Sequence, residues 1–138
     1  MHRVSTVWIV VISAGLLGGC GGEKERPSAV IQGVVTLGGQ PLGQGSVHFT
    51  SPQTGESAYA NIGPEGNYSV EFPFVDLGHA YQVAIGKTVV EETDAHALAV
   101  NPPPPMTVKI PPKYSERTTS GLSVTIDHGG ETQYDIAL

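Results

Sequence analysis

The stretch Ile31-Gln-Gly-Val-Val-Thr-Leu37, Gly38-Gly-Gln-Pro-Leu-Gly-Gln-Gly45, Ser46-Val-His-Phe-Thr50 decides the fold. Two runs in which apolar and polar residues alternate are separated by a segment dense in Gly and Pro. Alternation with a period of two sends successive side chains to opposite faces of an extended chain, the pattern of a strand half buried against a core. The pattern returns in Ser57-Ala-Tyr-Ala-Asn61 and, after Gly63-Pro-Glu-Gly66, in Asn67-Tyr-Ser-Val-Glu-Phe72.

Working outward, the inward positions are Ile31, Gly33, Val35 and Leu37, then Val47 and Phe49, with Ser46, His48 and Thr50 outward. Ala58, Ala60 and Ile62 follow, then Tyr68, Val70 and Phe72, then Tyr81, Val83 and Ile85. Near the C-terminus Leu122, Val124 and Ile126 alternate with Ser123, Thr125 and Asp127, and Asp127-His-Gly-Gly130 predicts a hairpin turn into Tyr134, Ile136 and Leu138. Residues 90–106, with Glu91-Glu-Thr-Asp94 and Pro102-Pro-Pro-Pro105, break the alternation and predict a long exposed loop, because proline supplies no ladder donor. Residues 108–110 predict a brief edge strand before Pro111-Pro-Lys-Tyr114. No helix is expected beyond the N-terminal segment.

The chain's 138 residues suit one domain, and its 18 Gly and 11 Pro amid evenly spread apolar residues indicate turn density and not disorder. The formal net charge is −6 and the cations form no stripe, which excludes nucleic acid as a partner. Cys20 is the sole cysteine, so no disulfide within the chain can brace the fold.

Met1-His-Arg3 is a basic start, and residues 4–17 form an apolar run too short for a comfortable membrane span but proportioned like a signal-peptide core. Leu17-Gly18-Gly19-Cys20 resembles the bacterial lipobox. That resemblance implies cleavage between Gly19 and Cys20 after lipid attachment to the cysteine. The expected organisation is a signal peptide over 1–19, a lipidated cysteine and flexible tether over 20–28, and a β domain over 29–138. More than one acyl chain on Cys20 would hold the protein on a membrane. In enteric bacteria an Asp after the cysteine retains lipoproteins at the inner membrane; Gly21 stands there, which by resemblance implies the outer membrane.

Gly33-Val-Val-Thr-Leu37, Gly39-Gln-Pro41, Gly45, Val47 and Phe49, followed by Ala60, Gly66, Tyr68 and Val70, resemble the carboxypeptidase regulatory-like family of transthyretin-like β-sandwiches. Residues 110–124, from Ile110-Pro-Pro-Lys-Tyr114 through Thr119-Ser-Gly-Leu122 to Val124, look like the C-terminal half of small bacterial lipoproteins of that kind. The resemblance implies an all-β, immunoglobulin-like antiparallel sandwich of roughly seven to eight strands and a non-catalytic module. Gly39 and Pro41 would shape the first hairpin, and Gly66 the turn before the Tyr68 strand. Relatives often carry Asp before that glycine. This chain has Asn61-Ile-Gly-Pro-Glu65, a poor set for calcium.

Four functional chemistries were weighed against this frame. His48, His79, His96 and His128 lie in separate segments without the close pairing of a metal site, so no metal or cofactor is expected. One branch of the transthyretin-like fold hydrolyses a purine breakdown product with His, Arg and a Tyr-Arg-Gly-Ser ending, whereas this chain ends Tyr134-Asp-Ile-Ala-Leu138 and has no Arg after Arg117. No catalytic residue is assigned. Carbohydrate stacking would fall to Tyr59 or Tyr114, since Trp8 lies in the expected leader. An isopeptide-locked adhesin would need a Lys in the first strand, which has none. The expectation is a membrane-anchored binding or envelope-structural module, with residues 90–117 and the exposed strand edges as its recognition surface. The alternative is a periplasmic metal- or small-ligand-binding protein.

Overall fold

The computed structural model describes residues 26–91, 99–102 and 105–138. The expected leader with Trp8 and Gly19, the Cys20 anchor, the tether up to residue 25, and residues 92–98 with His96 lie outside the described residues.

Among the described residues nine strands form two sheets. They are β1 (Ala29–Leu37), β2 (Gln40–Pro41), β3 (Ser46–Thr50), β4 (Ser57–Asn61), β5 (Asn67–Phe72), β6 (Ala80–Gly86), β7 (Leu122–Thr125), β8 (Gly130–Gln133) and β9 (Ile136–Ala137). One sheet runs β4-β3-β6-β7, antiparallel throughout. The other is built on β1, which pairs antiparallel with β2 and β5 and parallel with β8 and β9. The architecture is therefore the all-β sandwich expected, with one mixed sheet.

The chain pairs differently at its C-terminus from the hairpin that Asp127-His-Gly-Gly130 predicted. β7 lies beside β6, while β8 lies beside β1 in the opposite sheet, so residues 126–129 form an arch across the sandwich. Ile126 is fully buried at the crossing, its carbonyl accepts from Gly78 N–H at 2.8 Å, and Gly130 N–H donates to Ser28 O at 3.0 Å. Glycine serves a tight hairpin and an arch equally well, so local sequence could not separate them.

β8 and β9 are one extended path interrupted at Tyr134 and Asp135. Gly33 makes room for that interruption: a Cβ there would collide with the Tyr134 carbonyl. Tyr134 N–H donates to Gln32 O at 2.8 Å and Leu138 N–H to Thr36 O at 2.8 Å, which carries the ladder past the break. At the other end of β1, Gly38 and Gly39 adopt φ of 58° and 83° in a two-residue turn that returns Pro41 opposite Thr36. Such a turn requires positive φ at both central residues, which glycine adopts at no steric cost. Pro41 lacks an N–H, and Leu42 N–H instead donates to Val35 O at 2.8 Å. Gly66, with φ of 83°, sits at the turn before β5, its carbonyl accepting from Val35 N–H at 2.8 Å.

Four aromatic rings join the sheets. Phe49 of β3 lies 6.0 Å from Tyr68 and 6.2 Å, edge on, from Phe72, both of β5; Phe72 in turn lies 5.0 Å from Tyr81 of β6. Such pairs contribute about 0.5–1.5 kcal/mol each beyond the burial of their surface. Ile31, Val35, Val47, Val83 and Ile136 fill the space around them.

Ser46 shares the outward face with His48, as alternation places it, yet is fully buried there, its hydroxyl donating to Lys87 O at 2.6 Å. One further expectation needs correction. Residues 108–110 form no strand; a 3-10 turn over Pro112–Ser115 follows, as the proline-rich stretch offers too few ladder donors. That turn carries buried Tyr114 against β6. Ser120 Oγ donates to Val83 O, and Thr119 Oγ1 to Lys113 O at 2.7 Å, so residues 112–120 are fastened down and are not loose loop.

Candidate functional site

The pairing register determines which side chains share each outer face. On the β4-β3-β6-β7 sheet, Tyr59, His48 and Ala84 lie side by side on successive strands, flanked by Ser57, Thr50 and Gln82 on one side. Asn61, Ser46 and Gly86 stand on the other side, and Ser123 and Thr125 extend the face onto β7. The strand positions of this face carry no Asp, Glu, Lys or Arg; the one carboxylate brought to it is Glu91, from the segment after β6, which accepts from the Tyr59 hydroxyl at 3.4 Å. Small, uncharged side chains surround a His–Tyr pair.

That pair is held rigidly. Tyr59, 42 % exposed, stacks on His48 with ring centroids 5.6 Å apart and planes inclined by 22°. Ser46 Oγ lies 2.8 Å from His48 Nε2 and spends its own proton on Lys87 O. His48 Nε2 is therefore the donor, and its Nδ1 carries the lone pair. Partial burial pushes the imidazole pKa below its ordinary value, favouring the neutral ring. Gly86 leaves the space: a Cβ there would lie 3.1 Å from His48 Nε2 and 3.2 Å from Ser46 Oγ. A hollow of about 310 Å³ opens beside the pair, lined by Thr50, Ser57 and Ala58 as well.

The geometry is wrong for a serine nucleophile. Ser46 is inaccessible, and its proton points away from the imidazole that would have to remove it. The buried tyrosines are posts and not acids. Burial, reinforced by the Tyr134 and Asp135 charges, raises the pKa of Tyr68, whose hydroxyl donates to Tyr134 O; burial and the 2.9 Å hydrogen bond to Glu56 raise that of Tyr81.

The other positions singled out in the sequence scatter. Tyr114 is buried with Lys113 Nζ 4.5 Å from its ring centroid, so it offers no face for a sugar, in contrast to Tyr59. His79 precedes β6 and His128 lies in the 126–129 arch, each far along the strands from Gly86. Among the described residues no three His, Cys, Asp or Glu side chains gather as a metal would require. Asn61, in the turn that carries a poor set for calcium, clamps the segment after β6, accepting from Val89 N–H and donating to Val89 O, each at 2.9 Å.

Within the expected 90–117 recognition region, the described part forms a cleft of about 340 Å³ at the end of β6, lined by Ile85, Lys87, Met106, Val108, Ile110 and Ser115. Gln44 Oε1 accepts from Thr107 N–H at 3.2 Å and holds its rim. Gly86 lies between this cleft and the His48–Tyr59 pair. Sequence reasoning placed His48 and Tyr59 on outward positions but missed their stacking, which depends on the β3–β4 register.

No protein-family profile matches the chain, and no curated protein matches it. Among solved structures, the chain is similar to a DUF3823 family protein from Parabacteroides merdae, with 14 % identity and a TM-score of 0.42. The match covers 82 % of this chain and 46 % of that one, so this chain spans less than half of that protein's length.

Proposed function

We propose that this protein is a lipid-anchored bacterial envelope module of the carboxypeptidase regulatory-like type, a non-enzymatic sandwich that binds a partner on one outer face. The observation that carries the reading is the exposed Tyr59 stacked on His48, on a face whose strand positions carry no charged residue. A solvated sheet face without function usually carries charged residues for solubility, as the opposite sheet does with Glu71 and Glu131. Anchorage is supported by Leu17-Gly18-Gly19-Cys20 behind an apolar run, and the outer membrane by Gly21. The partner is a protein or another envelope component.

A photo-crosslinking residue at Tyr59, with the same residue at Ser69 on the opposite sheet, tests the binding face in intact cells. Discrete adducts from position 59 and none from 69 are expected. Equal adducts from both, or adducts from 69 alone, would contradict it. His48, a neutral imidazole lining a hollow, favours one second reading, a small-ligand or metal-binding periplasmic protein. Calorimetric titration with copper, zinc and calcium separates the two: tight binding abolished by His48→Ala would favour the second.

A further inference from the structure

The geometry points to the loop between β5 and β6, residues 73–79, as a membrane contact that docks the sandwich end-on against the bilayer holding its anchor. This rests on the anchored reading above. Phe74 is 57 % exposed and Leu77 45 % exposed, two large apolar side chains in one short loop. Between them Val75 is buried, and its N–H donates to Pro27 O at 2.9 Å, so the tip is fixed to the segment through which the chain enters the fold. Arg26 lies over the Phe74 ring at 5.8 Å and pairs with Asp76 at 3.6 Å. The apolar tip and the entry point are one surface.

Cys20 is six residues before Arg26, and at about 3.3–3.6 Å per extended residue those six reach about 20 Å at most. The nine residues of β1 place the far end of the sandwich about 30 Å beyond the entry point. Acyl chains on Cys20 would therefore hold Phe74 and Leu77 within reach of the headgroup and acyl boundary, where aromatic and aliphatic side chains partition favourably. The Arg26–Asp76 pair is neutral as a unit, and the other charged groups that the register and contacts bring near this end are the carboxylates of Glu56, Glu71, Asp127 and Glu131, so the occupant is a zwitterionic lipid surface and not an anionic one.

The test uses the full-length precursor, processed in a bacterium that matures lipoproteins, carrying Phe74→Trp. The expected leader takes Trp8 with it, so position 74 holds the sole indole. Reconstituted into phosphatidylcholine vesicles with brominated acyl chains, the indole should be blue-shifted and quenched about twofold, as for a side chain inserted at the acyl boundary. A Val108→Trp protein, labelled near the opposite end of β6, should be unquenched, and Leu77→Ser added to Phe74→Trp should weaken the quenching. Unquenched Trp at 74 in protein whose Cys20 is acylated by peptide mass would overturn the docking alone. Absence of the acyl group would overturn the anchored reading and the docking with it.

Discussion

On the β1 sheet Val30 stands between Glu71 and Glu131, whereas on the β3 sheet His48 stands between Tyr59 and Ala84 and no strand position of that face is charged. The two sheets share one core, and both have an inner face set by strict alternation. Their outer faces are free to differ because burial constrains only every second residue, leaving the others to carry charge on one sheet and small uncharged side chains on the other. The contrast also runs through topology: the β3 sheet is built from antiparallel neighbours, and the β1 sheet is completed by strands that arrive in parallel after an arch.

The largest expected effect breaks what the sheets have in common. Phe49→Ala removes the ring that touches both Tyr68 and Phe72 across the layers, and should cost about 3–5 kcal/mol in urea unfolding. A loss below about 1 kcal/mol would mean that the sheets are joined elsewhere.

Gly33→Ala should strike the β1 sheet selectively. Its methyl meets the backbone at Tyr134, which cannot retreat like a side-chain tip, so roughly 1–3 kcal/mol or more is lost. Amide exchange should accelerate first at Leu138, whose N–H bonds Thr36 O, with β3 and β6 protected longer. Uniform acceleration would dissolve the distinction between the sheets.

Ser46→Ala acts on the other side. It leaves Lys87 O without its side-chain donor and frees His48 Nε2, at a cost of about 1–3 kcal/mol by denaturation. In the opposite direction, Thr132 has a buried hydroxyl with no hydrogen-bond partner on the core side of β8, opposite Ile31. Thr132→Val should stabilise by about 1 kcal/mol, read as a higher urea midpoint.

The smallest effect is that of pH. His48 has a pKa lowered by burial, so the unfolded chain binds more protons than the folded one just below the ordinary histidine value. Its contribution is complete above the unfolded pKa of about 6.5 and is lost as pH falls through the folded pKa. A His48→Gln protein should show a shallower fall in stability over that acidic range. An unchanged slope would mean that the imidazole is no more buried than in the unfolded chain.

Much of this was legible in the sequence because the core positions announce themselves. Ile31, Val47, Phe49, Tyr68, Val70, Phe72, Tyr81, Val83 and Ile85 follow from period-two alternation, and all are buried. Pairing across long separations was not legible. Gly129-Gly130 serves an arch as readily as a hairpin, and nothing local to β8 says that its neighbour is a strand about a hundred residues earlier. Ser46 points outward as alternation says, but its burial depends on another segment, which supplies the Lys87 carbonyl that its hydroxyl meets, and no period in the sequence reports that. Tyr114 packs, as a tyrosine does by default, but it does so through a 3-10 turn that has no strand periodicity to announce the contact. The His48–Tyr59 pair was half legible: each outward position could be read, but not their register.

If the sandwich hangs from a bilayer by Cys20, mass spectrometry of the N-terminal peptide from the membrane fraction will find a chain beginning at Cys20 with diacylglyceryl on its sulfur. An unmodified cysteine still preceded by Leu17-Gly18-Gly19 would mean that no lipid holds it there.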